Sequence, residues 1–145
     1  MIHITKNMLT VAGLASALMF TAATAQAEML TFKAEMLGST EVPANDSAGK
    51  GTAEVIVDTD TKKVTWTMSV EGLSGDATAA HAHGPASPTE TAPPAIDMSG
   101  DKMMKGSADI TEAQWTDLKA GKYYINVHTA KLPGGEIRGQ LAAAK

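Results

Sequence analysis

The 145-residue sequence contains no cysteine and few aromatic side chains. The absence of cysteine excludes disulfide bonds, thiolate nucleophiles and metal sites built from thiolates. Because only 4% of the residues are Phe, Trp or Tyr, a core must be built mainly from Val, Ile, Leu, Met and Ala. Basic side chains number 12 against 16 acidic ones. This balance makes neither nucleic acid nor an anionic membrane an expected partner.

The first 27 residues have the pattern of a secretory signal peptide. Residues 1–7 are polar and include Lys6, and residues 8–24 are apolar or small and uncharged. Ala25-Gln26-Ala27 then supplies a small-x-small cleavage site. The apolar run is too short and too interrupted to predict a spanning helix, although an uncleaved anchor stays an alternative. The sequence therefore predicts an exported domain at 28–145, periplasmic or secreted, with no membrane span after cleavage.

Alternation of apolar and polar residues predicts strands along most of the exported part. Thr111 and Gln114 form a capping-box pattern that predicts one short helix, and Gly121 stands where that helix should end. About eight short strands separated by turns predict an all-β fold, an antiparallel Greek-key sandwich or barrel with one short helix. The predicted strands are 29–36, 51–58, 63–70, 77–83, 95–98, 105–110, 123–129 and 136–142.

The last two predicted strands form a hairpin whose register follows from separating polar from apolar residues. The best separation places His128 opposite Glu136. Asn126 then faces Arg138, and the other face of the ladder carries apolar residues. His128 is therefore predicted to lie on the polar face of this hairpin.

Three histidines follow the predicted leader, and their spacing suggests a metal site. His81 and His83 are two residues apart in a predicted strand, so both imidazoles project from one face. His128 belongs to another strand, and three imidazoles from two neighbouring strands can converge on one ion. Neutral imidazole suits copper and zinc. The alternative is that the histidines are structural and bond loop carbonyls near the proline-rich segment 85–94.

Other polar and sulfur-containing side chains are candidates for a supporting role. Asn126, Glu136 and Arg138 are expected beside the histidines, with Arg138 steering anions and Glu136 supporting a ligand. The alternative for Glu136 and Arg138 is a cross-strand charge pair on a hydrated face. The methionine-rich stretch 98–104 could catch copper through thioethers, or fill gaps in a hydrophobic patch.

Four stretches resemble the CHRD domain, first described in the developmental protein chordin and found in many exported bacterial proteins. They are His81–Ala86, Asp109–Thr111, Tyr124–Thr129 and Pro133–Leu141, and the resemblance extends over 32–141. It implies an all-β, immunoglobulin-like barrel in a periplasmic or extracellular protein. The biochemical role of that family is mostly undefined, and in chordin the domain belongs to a binding protein.

A second resemblance is to the copper–zinc superoxide dismutases, which are Greek-key barrels. Their His-x-His strand pair and later Val-His are similar to His81, His83 and Val127-His128 here, and Arg138 follows at the place of their active-site arginine. A fourth copper histidine, the zinc ligands and the disulfide cysteines of that family are missing. The resemblance therefore implies a three-histidine copper or zinc site rather than superoxide chemistry.

These observations favour an exported, non-catalytic binding domain that holds copper, or zinc, through His81, His83 and His128. The first alternative is a metal-free adhesive or scaffold domain that binds a protein or envelope partner through the loop Pro85–Pro94. The second is a superoxide dismutase-like copper oxidoreductase or a zinc hydrolase. A hydrolase needs a general base, for which Glu136 is the only candidate in the sequence.

Overall fold

The computed structural model describes residues 27–145. The predicted signal peptide lies outside the described residues, apart from Ala27, and stays a prediction. Nine strands, one α-helix and two short 3-10 helices, Gly38–Thr40 and Gly100–Lys102, form within the described part of the chain. The strands are β1 (Met29–Leu37), β2 (Lys50–Asp58), β3 (Lys63–Glu71), β4 (Ala77–His83), β5 (Pro94–Asp97), β6 (Lys105–Asp109), β7 (Tyr124–Thr129), β8 (Ile137–Gln140) and β9 (Ala142–Ala143), and the helix α1 is Glu112–Lys119.

The strands form one antiparallel sheet in the order β5-β4-β7-β8-β1-β2-β3-β6, with β9 pairing β1. The two edge strands, β5 and β6, are joined by the short connection 98–104, which is itself tied to the sheet. Met98 donates its N–H to Ala80 O at 2.9 Å, and Met104 O accepts from Met68 N at 2.8 Å. The sheet is therefore a nearly closed barrel, which confirms the all-β antiparallel prediction. From residue 27 onward, no helix is long and apolar enough to cross a membrane.

The inward face of the barrel is built by the predicted alternation. Phe32 pairs with Val55, and Val55 pairs with Trp66 on β3, so one buried row crosses three strands. The helix adds Trp115, whose ring meets that of Phe32 edge to face with centroids 6.1 Å apart. The capping box predicted at Thr111 is present. The helix is thus fixed at its start by side-chain bonds and along its length by the core.

The methionine-rich connection belongs to the core. Met98 and Met103 are buried, and Lys102 O between them accepts the indole N–H of Trp66 at 2.8 Å. Met104 is exposed. Two of the three thioethers therefore pack in the core, which favours the gap-filling role of this stretch over the copper-catching alternative.

The C-terminal hairpin has the predicted register. Asn126 pairs with Arg138, and Tyr124 pairs with Gln140. The last strand differs from its prediction because Leu141 separates β8 from β9, and β9 pairs with β1 instead of β7. Strand β8 thus lies between β7 and β1, so both of its edges are bonded and its backbone is closely surrounded.

The backbones of β8 and β1 approach each other closely enough to exclude a side chain at Gly139. A Cβ placed at Gly139 would lie 2.3 Å from Glu35 O, and this backbone atom cannot yield without moving β1. We expect Gly139→Ala to lower the free energy of unfolding by about 3 kcal/mol or more. At Gly134, a Cβ would meet no atom of the described residues within 4 Å. Gly134→Ala is therefore the matched control, with an expected change below about 0.5 kcal/mol. Equal effects of the two substitutions in urea unfolding would contradict this packing.

Candidate metal centre

Strands β4 and β7 bring the three histidines together. Ala80 and Ala82 of β4 are buried in the core. Because successive residues of a strand point to opposite faces, His81 and His83 project from the outer face. His128 projects from the same face of β7. One nitrogen from each imidazole lies within 4.8 Å of the other two. The convergence predicted from strand parity is therefore present in the geometry.

Two loops cover this outer face of the sheet. The alternative of a cross-strand pair between Glu136 and Arg138 had assumed that the face is hydrated. The loop 38–49 reaches β8 through Asn45, whose Nδ2 donates to Glu136 O at 3.1 Å. The loop 84–94 reaches β8 through Ser87 O, which accepts from Arg138 Nη2 at 3.1 Å. As a result His83 is only 7% exposed and Arg138 only 2%. The expectation of a wet face is wrong, because long-range loop contacts bury it.

The hydrogen bonds of two histidines fix which nitrogen carries the proton. His83 Nδ1 lies 2.9 Å from Ala92 O, and His128 Nδ1 lies 3.0 Å from Pro133 O. A carbonyl oxygen only accepts, so both Nδ1 atoms are donors and both Nε2 atoms carry lone pairs. The Nε2 of His83 is buried and has no hydrogen-bond partner among the described residues. Its lone pair is held in a fixed orientation, as in the carbonyl-anchored histidines that bind metal ions.

His81 completes the group through its other nitrogen. Its Nδ1 lies 3.2 Å from His128 Nε2, while its Nε2 lies 3.9 Å from the Asp97 carboxylate. If neutral His81 donates from Nδ1 to His128, its Nε2 lone pair faces a negative charge. If Nδ1 instead coordinates an ion, Nε2–H points toward Asp97 and all three lone pairs are used. Coordination would thus use all three lone pairs and turn the Nε2–H of His81 toward the negative charge of Asp97.

The electrostatics of the cluster keep two imidazoles neutral. Burial lowers the pKa of His83 below its ordinary value of 6.5, and the charges of His81, His128 and Arg138 lower it further, against the bond to Ala92. Burial likewise lowers the pKa of His128, with a contribution from His81 and against the bond to Pro133. Neutral imidazole is the form that binds a metal.

An aromatic stack joins the histidines to Arg138. The rings of His83 and Tyr124 are parallel to within 5°, with centroids 4.8 Å apart, and Arg138 Cζ lies 3.5 Å from the Tyr124 centroid. His83 comes from β4 and Arg138 from β8, on opposite sides of β7, so the Tyr124 ring lies between them. Sequence reasoning placed Tyr124 in the ladder and missed this role. Tyr124 alternates with Asn126 and His128 along β7, so the sequence could have placed all three on the same face of the strand.

Glu136 is placed away from the imidazoles, in a fully buried network of its own. Its carboxylate accepts hydrogen bonds from Ser47 Oγ, from Ser74 N and Oγ, and from Thr129 Oγ1. Burial raises its pKa, but the hydroxyl and amide donors outweigh burial and hold the pKa at about 2. It forms no ion pair with Arg138 or any other cation of the described residues. These contacts give Glu136 a structural role in tying two loops to β7.

Asn126 and Glu41 form a second buried pair beside Arg138. Asn126 Nδ2 donates to Ile137 O at 3.1 Å and also to the Glu41 carboxylate. Burial raises the pKa of Glu41 to about 7, against the opposing effects of Asn126 and Arg138. Glu41 was missed by sequence reasoning, because it lies in an irregular loop where no periodicity reports burial.

Comparison with known protein families assigns the chain to one of them. The CHRD domain model matches residues 32–141, and the chain belongs to the CHRD domain family. No curated protein and no solved structure matches it. The likeness to copper–zinc superoxide dismutases therefore has no support beyond the motifs that suggested it.

The buried Glu136 carboxylate predicts a specific dependence of stability on pH. Its folded-state pKa of about 2 lies below the ordinary value of 4.5, so its ionised form stabilises the fold above about pH 4.5. That contribution is lost as the pH falls toward 2. We expect Glu136→Gln to lower the free energy of unfolding by about 1–3 kcal/mol at pH 7. The difference from the parent chain should shrink between pH 4.5 and pH 2.

The matched control is Glu35→Gln, which changes an exposed carboxylate on β1. Its effect at pH 7 should stay below about 0.5 kcal/mol. Urea unfolding of the three proteins at pH 7 and at pH 3 checks the prediction. If the difference in free energy of unfolding between Glu136→Gln and the parent chain is the same at pH 7 and pH 3, the assignment of an ionised buried carboxylate is contradicted.

Proposed function

We propose that the chain is an exported, non-catalytic metal-binding domain that holds one copper or zinc ion through His81, His83 and His128. The observation that carries the proposal is the buried Nε2 of His83, which has no partner among the described residues and belongs to a group of three convergent imidazoles. A buried polar atom left unsatisfied costs about 1–3 kcal/mol. Coordination of a metal ion would remove that cost.

The distances support a single ion of ordinary coordination geometry. Zinc–nitrogen bonds are about 2.0–2.1 Å long, so two nitrogens on a tetrahedral ion are about 3.3 Å apart. The separation of His81 Nδ1 and His128 Nε2 is 3.2 Å. The whole group lies within 4.8 Å, so closing it on one ion requires imidazole movements of about 1 Å.

The donor set favours copper before zinc. All three ligand atoms are imidazole nitrogens, and the chain contains no cysteine that would favour a softer thiolate site. For a given set of nitrogen ligands, affinity in the divalent series reaches its maximum at Cu²⁺. The leader pattern and the CHRD assignment support a periplasmic or secreted location for this binding.

The surroundings of the imidazoles support binding rather than turnover. Asp97 is the only carboxylate of the described residues within 4.0 Å of an imidazole nitrogen, and it faces His81 Nε2. Glu136, the candidate base, is engaged by donors from Ser47, Ser74 and Thr129. A hydrolase needs a base within hydrogen-bond reach of the water that it activates.

Metal content and thermal stability test the proposal directly. The purified protein should bind about one equivalent of copper or zinc, measured by mass spectrometry after gel filtration. A ligand at about 100 times its Kd stabilises the fold by about 2.7 kcal/mol, which corresponds to a rise in Tm of about 10 °C. His83→Ala should lose both the bound metal and the rise in Tm.

Asp97→Asn is the matched control, because it removes the carboxylate facing His81 and leaves all three imidazoles in place. It should keep one equivalent of metal with an affinity reduced by about tenfold. Circular dichroism of the metal-free variants checks that the fold persists. No retained metal and no rise in Tm in the parent chain would overturn the proposal, and would return the histidines to a structural role in a scaffold domain.

A further inference from the structure

A cleft of about 470 Å³ opens between the two covering loops. Its floor is the outer face of β8, and it lies on the far side of the Tyr124 ring from the histidine cluster. Glu41, Val42 and Pro43 line one wall, Pro88 lines the other, and Arg138 and Gln140 contribute to the floor. The volume falls in the range of about 300–1,000 Å³ that is typical of small-molecule sites.

Arg138 is a buried cation that forms no ion pair within 4.0 Å in the described part of the chain. Its guanidinium carries five N–H donors, of which Nη2 donates to Ser87 O. This is its one hydrogen bond to the described residues, and none of their carboxylates forms an ion pair with it. A buried charge is costly unless it is paired and hydrogen-bonded. Arg138 lines the cleft, where an anion can complete the pairing.

Glu41 does not supply that pairing. Its carboxylate is bonded by Asn126 rather than by Arg138. Burial raises its pKa to about 7, so at neutral pH the carboxyl group is protonated, and therefore neutral, in a large fraction of the molecules. The cleft thus presents one full positive charge, a carboxyl group, the unpaired Oε1 of Gln140 and walls that are mainly apolar.

We propose that this cleft binds a small organic carboxylate, whose carboxylate group accepts hydrogen bonds from Arg138 and whose aliphatic part contacts Val42, Pro43 and Pro88. Among the described residues, Arg138 is the only cationic side chain that lines the cleft, and a single guanidinium matches a singly charged anion. A phosphate group carries more charge than one guanidinium offsets, and it makes no use of the apolar walls. The inference is independent of the proposed metal function, because Arg138 is not a metal ligand.

The test is a calorimetric titration of the protein with propionate in carboxylate-free buffer depleted of metal by a chelating resin. Propionamide has nearly the same shape without the charge, and inorganic phosphate has charge without an apolar part. Propionate should bind at least about tenfold more tightly than propionamide, because the bonds to Arg138 are charge-assisted. Equal binding of the two compounds, tighter binding of phosphate, or no binding of propionate would each overturn the proposal.

Two variants locate the site. Arg138→Gln should reduce propionate affinity by about tenfold or more, but it also removes a buried side chain that stacks on Tyr124 and so could affect folding. Ala44→Trp fills the cleft from its exposed rim and leaves Arg138 in place. It should reduce propionate binding to a similar extent without lowering Tm.

Ala113→Trp makes the same change at an exposed position of α1, outside the cleft, and should leave propionate binding unchanged. Binding that survives Ala44→Trp, or that falls equally in Ala113→Trp, would overturn the location. Because no metal is present in these titrations, failure here leaves the three-histidine proposal standing. Loss of metal binding in the earlier test likewise leaves this one standing.

Discussion

The antiparallel pairing of β4 with β7 is the constraint on which the rest of the site depends. It directs Ala80 and Ala82 into the core, and the two-residue repeat of a strand then forces His81 and His83 outward. The same ladder places His128 within bonding distance of His81. A slip of one residue would bury the imidazoles and expose the alanines. The hydrophobic core therefore fixes the positions of the three imidazoles.

The two covering loops turn an outer sheet face into a buried polar layer. Burial makes each charge in that layer expensive, and the structure offsets the cost in different ways for different groups. Glu136 is surrounded by hydroxyl and amide donors, which hold its pKa at about 2. Glu41 has fewer donors, and burial raises its pKa to about 7. Arg138 has the face of Tyr124 and one carbonyl oxygen. Two buried carboxylates, one in loop 38–49 and one directly before β8, thus acquire opposite pKa shifts because their donors differ in number.

The sequence predicted features that follow from local periodicity and missed those that follow from loop contacts. Alternation identified the strands, and pairing polar with polar residues gave the register of Asn126 with Arg138. The capping box at Thr111 is a local signal and was also found. The burial of Arg138 and the position of Glu41 depend on contacts across about 90 residues, between loop 38–49 and β8. Those contacts leave no period in the sequence, so a hydrated face was the natural but wrong expectation.

Tyr124 connects the two parts of the polar layer. Burial is the main cause that lowers the pKa of His83, and the charge of Arg138, on the other side of this ring, adds to it. A cation held by the imidazoles would therefore raise the positive potential that a carboxylate in the cleft experiences. Coupling of this kind is reciprocal, since a bound carboxylate would favour the cation by the same free energy. Two sites built on one polar layer would thus strengthen each other through their charges, without any change of fold.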